Sequence, residues 1–247
     1  MSSTNKILVT GVKSGLGKYI YKNTSDSVGL TRENRQDVLK GEYDLIIHCA
    51  FHSDRGNNID DYYDYINSNI LLTNELVKLK HKRFVYISSL AVYDEEHSAY
   101  KHTKLCSEAI VNKKANNPLI MRVPAMLGVD IRPNTIFRIL KEHKPKLTLS
   151  EESTFNYVLH SDVKNFALLN KFNGVVDFVS NGNVTLKKVN EILSGNAVFG
   201  DYKFITPEIK DGVNLKSSEQ VINEYKELVW KRKYWFVELQ ALLVEIY

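Results

Sequence analysis

The sequence predicts an α/β fold, a doubly wound parallel sheet followed by a smaller C-terminal region. Five apolar runs in the first 125 residues are continuous instead of alternating, which is typical of strands covered on both faces. Helical patterns separate these runs, so strand–helix–strand units repeat along the chain. With 247 residues, 43% of them hydrophobic, the chain can bury a full core without disulfides.

The predicted elements follow one another regularly as far as residue 125. Strands are predicted at residues 6–10, 27–31, 43–50, 83–88 and 119–123, and helices at residues 16–24, 60–80 and 98–115. The later pattern is less regular. It predicts a helix over 162–171, a strand over 175–179, a helix over 185–193 with Thr185 as its N-cap, and a helix-rich tail over 217–247.

Composition and charge exclude several classes of protein. The net charge of +4 is dispersed along the chain and is too small to indicate a nucleic-acid partner. No run reaches the roughly 18 apolar residues of a membrane span, and the first residues lack a signal-peptide pattern, so we expect a cytoplasmic protein with no membrane partner. Cys49 and Cys106 lack metal-ligand spacing, which predicts buried thiols in a reducing compartment and no metal site.

A glycine-rich turn follows the first predicted strand and opens the first helix. In this position Gly11 permits a tight turn, Gly15 lets the backbone approach a pyrophosphate, and Gly17 permits close packing of helix against strand. The helix N-terminus adds N–H groups and a partial positive charge, so the turn predicts a dinucleotide phosphate site. The predicted contacts are Gly11, Lys13, Ser14, Gly15, Leu16 and Gly17.

The end of the second strand bears on which nicotinamide cofactor is used. An NAD site usually has a carboxylate there for the ribose hydroxyls, whereas this strand ends at Arg32. A guanidinium suits a 2′-phosphate, so NADP(H) is preferred, with NAD(H) as the alternative. A solvated surface arginine beside Glu33 remains the other interpretation of Arg32. Asp37 and Val38 are predicted to approach the adenine ring.

Ser89, Tyr100 and Lys104 are the predicted catalytic residues. Tyr100 and Lys104 are four residues apart, so they lie on one helix face. An ammonium near a tyrosine favours the phenolate and lowers the tyrosine pKa from its usual value of about 10, which suits proton transfer near neutral pH. Ser89 ends a predicted strand and can hydrogen-bond the same reacting oxygen.

Together these motifs resemble the short-chain dehydrogenase/reductase superfamily, and especially its extended branch of nucleotide-sugar epimerases, dehydratases and reductases. The resemblance is carried by the glycine turn, His48 to Ala50, Asn69 to Asn74, Ser89 with Tyr100 and Lys104, Arg122 to Gly128, Phe155 to Val163, and Val176 to Leu186. It implies a Rossmann dinucleotide-binding domain over residues 1–127, completed by about 155–180, and a mostly small substrate-binding domain over 128–247. It also implies a homodimer formed through the helices at 60–80 and 98–115.

The resemblance implies further ligand contacts. The cofactor contacts are Cys49, Ala50, Phe51, Asn69, Tyr100, Lys104 and Val123, and the substrate contacts are His52, Ser89, Asn134 and Arg138. The chain departs from the family pattern in three places: the glycine spacing is that of the single-domain branch, Leu72 replaces a glycine, and Phe155 replaces an arginine that often grips the substrate diphosphate. The candidates to replace that arginine are Arg132, Arg138, Lys141, Lys144 and Lys146.

The residues after Ser89 narrow the reaction that the resemblance implies. The related 4,6-dehydratases carry an acidic pair there, whereas this chain has Leu90 and Ala91, which cannot transfer protons. Two reactions remain: reduction of a keto group on a nucleotide-activated deoxysugar for surface polysaccharide synthesis, and 4-epimerisation with bound NAD. Arg32 favours NADP and therefore net reduction. A non-catalytic NADP-binding sensor is the third alternative, although such relatives typically lack the Tyr–Lys pair.

Overall fold

Six parallel strands form the central sheet of the computed structural model, which describes residues 6–52, 59–95, 97–129, 131, 134–209, 213 and 216–230. The strands are β1 (Ile7–Val9), β2 (Ser27–Gly29), β3 (Glu42–His48), β4 (Lys80–Ser89), β5 (Pro118–Val123), β6 (Ala125–Leu127), β7 (Thr154–Phe155), β8 (Tyr157–Leu159), β9 (Gly174–Asp177) and β10 (Val184–Thr185). The helices are α1 (Gly15–Lys22), α2 (Arg35–Val38), α3 (Ile59–Tyr65), α4 (Leu72–Leu76), α5 (Ala99–Lys114), α6 (Thr135–Lys141), α7 (His160–Leu169), α8 (Leu186–Ile192) and α9 (218–230).

The strand order of the sheet is β2-β1-β3-β4-β5-β9, and each neighbouring pair is parallel. The chain runs outward from β1 to β2 and then crosses back to β3 on the other side of β1. In open α/β sheets, ligands bind at such a reversal, outside the carboxyl ends of the strands. The predicted doubly wound α/β fold is therefore confirmed, and its reversal point lies between β1 and β3.

Both faces of the sheet are covered, as the continuous apolar runs predicted. Val9 and Ile47 contribute to a buried cluster with Leu16 and Ile20 of α1. Their neighbours Leu8 and Ile46 point to the opposite face and join a second buried cluster, which includes Phe84, Val111 and Ile120. A third cluster gathers apolar side chains from β6, β8, α6, α8 and α9. The boundary of a separate substrate-binding domain at residue 128 remains a prediction.

The structure differs from the predicted elements mainly around residues 66–82. The first five strands end within three residues of their predicted bounds, but the helix predicted at 60–80 stops at Leu76 and contains a π-helical segment, Ile66–Leu71. Lys80 already belongs to β4, where it pairs with Glu42 at 2.8 Å, and Lys82 pairs with Asp44 at 2.5 Å. Cross-strand ion pairs thus accompany an extension of the strand that its own polar sequence does not indicate.

The C-terminal part contains elements that the sequence pattern did not reveal. The helix α6 lies within the basic stretch 128–155, for which no helix was predicted. Thr185 caps α8 as predicted, its hydroxyl accepting a hydrogen bond from the Lys188 N–H at 3.2 Å. The predicted tail is helical over 218–230, and residues 231–247 lie outside the described part of the chain. Among the described residues, no helix combines the length and apolarity that crossing a membrane requires.

Candidate active site

A cavity of about 810 Å³ lies at the carboxyl ends of β1, β3 and β4. Most of the predicted ligand contacts line it, although they come from segments far apart in the sequence. The predicted residues in its lining are Gly11, Lys13, Ser14, Gly15, Leu16, Gly17, Arg32, Cys49, Ala50, Phe51, His52, Ser89, Tyr100, Lys104, Val123 and Asn134. The fold therefore brings the glycine turn and the Ser–Tyr–Lys group to one site.

The glycine turn meets the steric requirements of a dinucleotide phosphate site. Gly11 has a φ of +74°, and a Cβ there would lie 3.0 Å from the Ala50 nitrogen on the neighbouring strand end. A Cβ on Gly17 would lie 2.5 Å from the carbonyl oxygens of Thr10 and Gly11. Gly15 has a φ of +56° with nothing within 4 Å of its Cβ position, so the backbone there is open to a ligand. The chemistry of the turn thus fits a diphosphate at the N-terminus of α1.

Two arginines border the cavity beyond the end of β2. Arg32 is exposed, and Arg35, which the sequence analysis did not select, also lines the cavity and pairs with Glu75 at 2.5 Å. The carboxylate of Glu33 is held by Lys13 at 3.1 Å across the glycine turn. Hydrogen bonds, first from Thr31, lower the pKa of Glu33 to about 2. No periodic pattern marked Arg35, because Arg32 lies in the loop before α2 and Arg35 is the first residue of that helix.

Tyr100 and Lys104 begin the long helix α5, as predicted. Ser98 caps this helix by accepting a hydrogen bond from the Lys101 N–H at 3.2 Å. Tyr100 lies in the first turn, where the partial positive charge of the helix N-terminus favours a phenolate. Lys104 follows one turn later, with its ammonium nitrogen 6.0 Å from the centre of the Tyr100 ring. The geometry suits an electrostatic effect of Lys104 on Tyr100.

The ammonium group of Lys104 is buried and is held from three sides. Its nitrogen donates to the Ile87 carbonyl at 2.7 Å and lies 3.7 Å from the centre of the Phe51 ring and 4.9 Å from that of Tyr86. Burial lowers the pKa of Lys104 to about 7, against the opposing effects of Cys49 and Glu108. The carbonyl dipole and the aromatic faces favour the charged form. Phe51 also contacts Tyr100 edge to face, with ring centres 4.9 Å apart.

Ser89 has a hydroxyl proton available for a ligand. It caps the short 3₁₀ turn Leu90–Tyr93 by accepting a hydrogen bond from the Ala91 N–H at 3.2 Å. This cap uses a lone pair of the Ser89 oxygen and leaves its O–H to donate. The arrangement can therefore present a neutral hydrogen-bond donor to an oxygen in the cavity.

An ion pair between the buried Glu108 and the partly buried Arg122, which was not predicted, holds the end of β5 beside α5. Glu108 accepts from Ser88 at 2.5 Å and receives two hydrogen bonds from Arg122, at 2.7 and 3.1 Å. Arg122 also donates to the Tyr93 hydroxyl at 2.6 Å, and Tyr93 donates to Asp177 at 2.9 Å. Because Glu108 lies four residues after Lys104, the spacing of Tyr100, Lys104 and Glu108 on one helix face was the signal to find it.

Four predicted ligand contacts do not line the cavity. Asp37 is exposed on α2, and Val38 is buried in the core with Leu8. Asn69 is fully buried behind the cavity wall, where it contacts protein groups. Arg138 pairs with Glu142 at 3.2 Å on the same helix. The ligand contacts predicted for these four residues stay predictions, since position in the sequence does not give the direction of a side chain.

Two further expectations changed. Cys106 was expected to be buried but is exposed on α5, whereas Cys49 lines the cavity. Phe155, at the position of the missing diphosphate-binding arginine, stacks on Phe204 with ring centres 5.2 Å apart. Of the candidates to replace that arginine, Arg132 lies outside the described residues. The cavity lining contains none of the others, which are Arg138, Lys141, Lys144 and Lys146.

Comparisons with known proteins agree with the overall fold. The model of the NAD dependent epimerase/dehydratase family matches residues 7–136, and no curated protein matches the sequence significantly. Among solved structures, MoeE5 in complex with UDP-glucose and NAD has a TM-score of 0.74 at 16% identity, covering 92% of this chain and 99% of that one. UDP-glucuronic acid 4-epimerase from Bacillus cereus in complex with NAD has a TM-score of 0.71 at 17% identity, covering 91% and 96% of the two chains. The dTDP-4-dehydrorhamnose reductase from Bacillus anthracis with NADP has a TM-score of 0.73 at 15% identity, covering 90% and 98% of the two chains.

The buried ammonium of Lys104 should make stability depend on pH. Its pKa is about 7 in the folded chain and about 10.4 in an unfolded chain, so between these values the unfolded state binds more protons. The free energy of unfolding of the wild type, relative to Lys104→Met, should therefore increase as the pH rises from about 7 to about 10. Urea denaturation at several pH values measures the free energy of unfolding of each protein. Lys78→Met, at an exposed position, controls for the loss of one charge. If the difference in free energy of unfolding between the wild type and Lys104→Met does not change with pH, burial does not lower the pKa of Lys104.

Proposed function

Because the chain belongs to the NAD dependent epimerase/dehydratase family, we propose that it reduces a keto group on a nucleotide-activated deoxysugar, as a nicotinamide-dependent oxidoreductase in surface polysaccharide synthesis. The observation that carries this proposal is the convergence of Ser89, Tyr100 and Lys104 with the glycine turn on one cavity. We place the reaction in the cytoplasm. The exposed apolar side chains of Tyr62 and Tyr63 on α3 support a homodimer.

The roles of the three residues follow from their surroundings. A nicotinamide dinucleotide, when bound, supplies the hydride. Tyr100 delivers the proton to the substrate oxygen, helped by the positive end of α5 and by Lys104. The Ser89 hydroxyl donates to the same oxygen and stabilises the charge that develops on it. Leu90 and Ala91 supply no second acid or base, so the proposed reaction changes one carbon.

Substrate and cofactor preferences are proposed from the cavity lining and from the similar structures. Arg32 and Arg35 offer two guanidinium groups for a 2′-phosphate, which favours NADP(H) over NAD(H). One of the similar structures contains UDP-glucose, and the similar reductase is named for a dTDP-linked sugar, which supports a nucleotide sugar here. His52 and Asn134 line the cavity and are the proposed polar contacts of the substrate.

A 4-epimerase with bound NAD is the second candidate, since 4-epimerases are among the proteins that share the overall fold. A panel of UDP-, dTDP-, GDP- and CDP-linked 4-keto-6-deoxysugars and their 4-hydroxy sugars separates the two. The proposal expects net oxidation of NADPH with one or more keto-sugars. Interconversion of the hydroxy sugars without cofactor consumption would establish the epimerase instead. Cofactor binding with no turnover on any sugar would favour a sensor.

Removing the Tyr100 hydroxyl should abolish turnover while the cofactor still binds. Tyr100→Phe loses only the proton carrier, so the rate should fall by at least about 100-fold. NADPH oxidation and calorimetric NADPH binding are the paired measurements. Tyr202→Phe, at an exposed position outside the cavity lining, is the matched control. Activity retained by Tyr100→Phe would remove Tyr100 from its proposed role.

Reversing the charge at Arg32 should change the cofactor preference. In Arg32→Asp the affinity for NADPH should fall at least about tenfold, because a charge-assisted contact to the 2′-phosphate becomes a repulsion. The affinity for NADH should be maintained or increase. Calorimetric titration with both cofactors measures this, and Lys78→Asp controls for the change in net charge. If the ratio of the NADPH and NADH affinities does not change, Arg32 is a solvated surface residue and does not contact the 2′-phosphate.

A further inference from the structure

A chain of buried hydrogen bonds, called here the hydrogen-bond chain, connects the glycine turn with Thr103 near the start of α5. It begins at Thr10, directly before Gly11, and passes through His48 at the end of β3. It then reaches Thr73 on α4 and Asn69 in the π-helical segment. All four residues are at most 1% exposed. A buried polar group is costly unless it has a hydrogen-bond partner. Because each donor and acceptor in the hydrogen-bond chain must therefore be used, the direction of every bond follows from its neighbours.

The donors and acceptors assign one arrangement of protons. The Thr10 hydroxyl oxygen accepts from the N–H groups of Cys49 at 3.1 Å and Ala50 at 2.9 Å. Both lone pairs are then used, and its proton must go to Nδ1 of His48, 2.8 Å away. His48 therefore carries its own proton on Nε2 and donates to the Thr73 oxygen at 2.9 Å. Thr73 in turn donates to the backbone carbonyl of Asn69 at 2.5 Å.

This arrangement requires a neutral histidine. Burial, and next the charge of Lys104, lower the pKa of His48 to about 3, so the ring stays neutral at ordinary pH. A neutral imidazole has one donor and one acceptor nitrogen, which is what the chain uses. The proton order is thus fixed from the glycine turn to Asn69.

At the far end of the hydrogen-bond chain, the Asn69 side chain contacts residues that line the cavity or flank the catalytic pair. The Asn69 side chain accepts from the His52 N–H at 2.7 Å and donates to the His52 carbonyl at 3.3 Å. It also donates to the Thr103 hydroxyl at 3.3 Å, between Tyr100 and Lys104 on α5. His52 lines the cavity, and the buried Nε2 of its ring has no hydrogen-bond partner among the described residues. Asn69 thus fixes both a backbone segment of the cavity wall and the helix of the catalytic pair.

We propose that His48, Thr73 and Asn69 are positioning residues that set the nicotinamide half of the site at a fixed place relative to the phosphate-binding turn. None of the three contacts the ligand in this proposal. They act through the backbone at His52 and through Thr103, and so through Phe51, Tyr100 and Lys104. The inference rests on the proposed dinucleotide cofactor, but not on the identity of the sugar or on the choice between NAD and NADP.

The test compares the affinity for a whole dinucleotide with the affinity for ADP, the part that NAD and NADP share. A positioning role affects only the first affinity, whereas a general loss of stability affects both. ADP occupies only the adenosine and phosphate end, where Thr10 is also held by its N–H to the Ile47 carbonyl at 3.1 Å. In Thr73→Val the hydroxyl is lost but the shape is kept. Affinity for the better of NADPH and NADH should fall about tenfold, whereas affinity for ADP should change by less than about twofold. Thr73→Ser, which keeps the hydroxyl, should restore dinucleotide binding.

A matched control shows what simple destabilisation does. Thr206 is also buried, and its hydroxyl donates to the Thr154 carbonyl at 2.9 Å outside the cavity lining. Thr206→Val should lower the melting temperature but leave both affinities unchanged. Equal loss of ADP and dinucleotide binding in Thr73→Val, or loss of neither, would overturn the inference.

Two outcomes complete the design. If Thr73→Val does not fold, Asn69→Asp replaces it, because this variant keeps an oxygen for the His52 N–H but loses the donor to Thr103. The same selective loss of dinucleotide affinity is expected, and its absence overturns the inference. If the wild type binds ADP but neither dinucleotide, the proposed function fails, and this inference fails with it. Dinucleotide binding by the wild type with no selective effect in either variant overturns the positioning role alone.

Discussion

The parallel pairing of β1 with β3 is the constraint on which the site depends. Its register places Val9 opposite Ile47, so the chain leaves both strands at the same edge of the sheet. The glycine turn follows one strand and the Cys49–His52 segment follows the other, which is why Gly11 approaches the Ala50 backbone so closely. A shift of this register by one residue would exchange the two buried faces as well as separate the turn from its neighbour.

A second requirement is the burial of charge next to the reacting groups. Lys104 and Glu108 are almost fully buried on α5, and burying charged side chains is costly unless polar or aromatic groups contact them. The Ile87 carbonyl and the Phe51 ring contact the Lys104 ammonium, and Arg122 pairs with Glu108. These partners come from three different strand ends or loops. Packing of α5 against the sheet therefore brings both side chains to their partners, and loss of one partner leaves a buried polar group unsatisfied.

The sequence predicted the doubly wound fold, the first five strands and most of the cavity lining. It did so because strand ends in a parallel sheet converge, so a motif after each apolar run is enough to place a residue at the site. It did not indicate that Asp37, Val38, Asn69 and Arg138 lie outside the cavity lining, because tertiary packing leaves these side chains exposed, buried or paired elsewhere. It also missed the contacts that cross between elements, such as Glu108 with Arg122 and Thr10 with His48, because spacing within one element shows which residues share a face but not which residue of another element they contact.

The π-helical segment Ile66–Leu71 has a consequence for comparing this chain with others. A π turn uses i to i+5 hydrogen bonds and so contains one residue more than the α turn it interrupts. Each residue of an α-helix turns the chain by about 100°, so the helix face before the segment and the face after it are offset from one another. An alignment that treats residues 59–76 as one uninterrupted helix would assign Asn69 to the wrong side. Apparent divergence within this helix can therefore be a matter of one inserted residue, with the side chains on either side of it still equivalent in space.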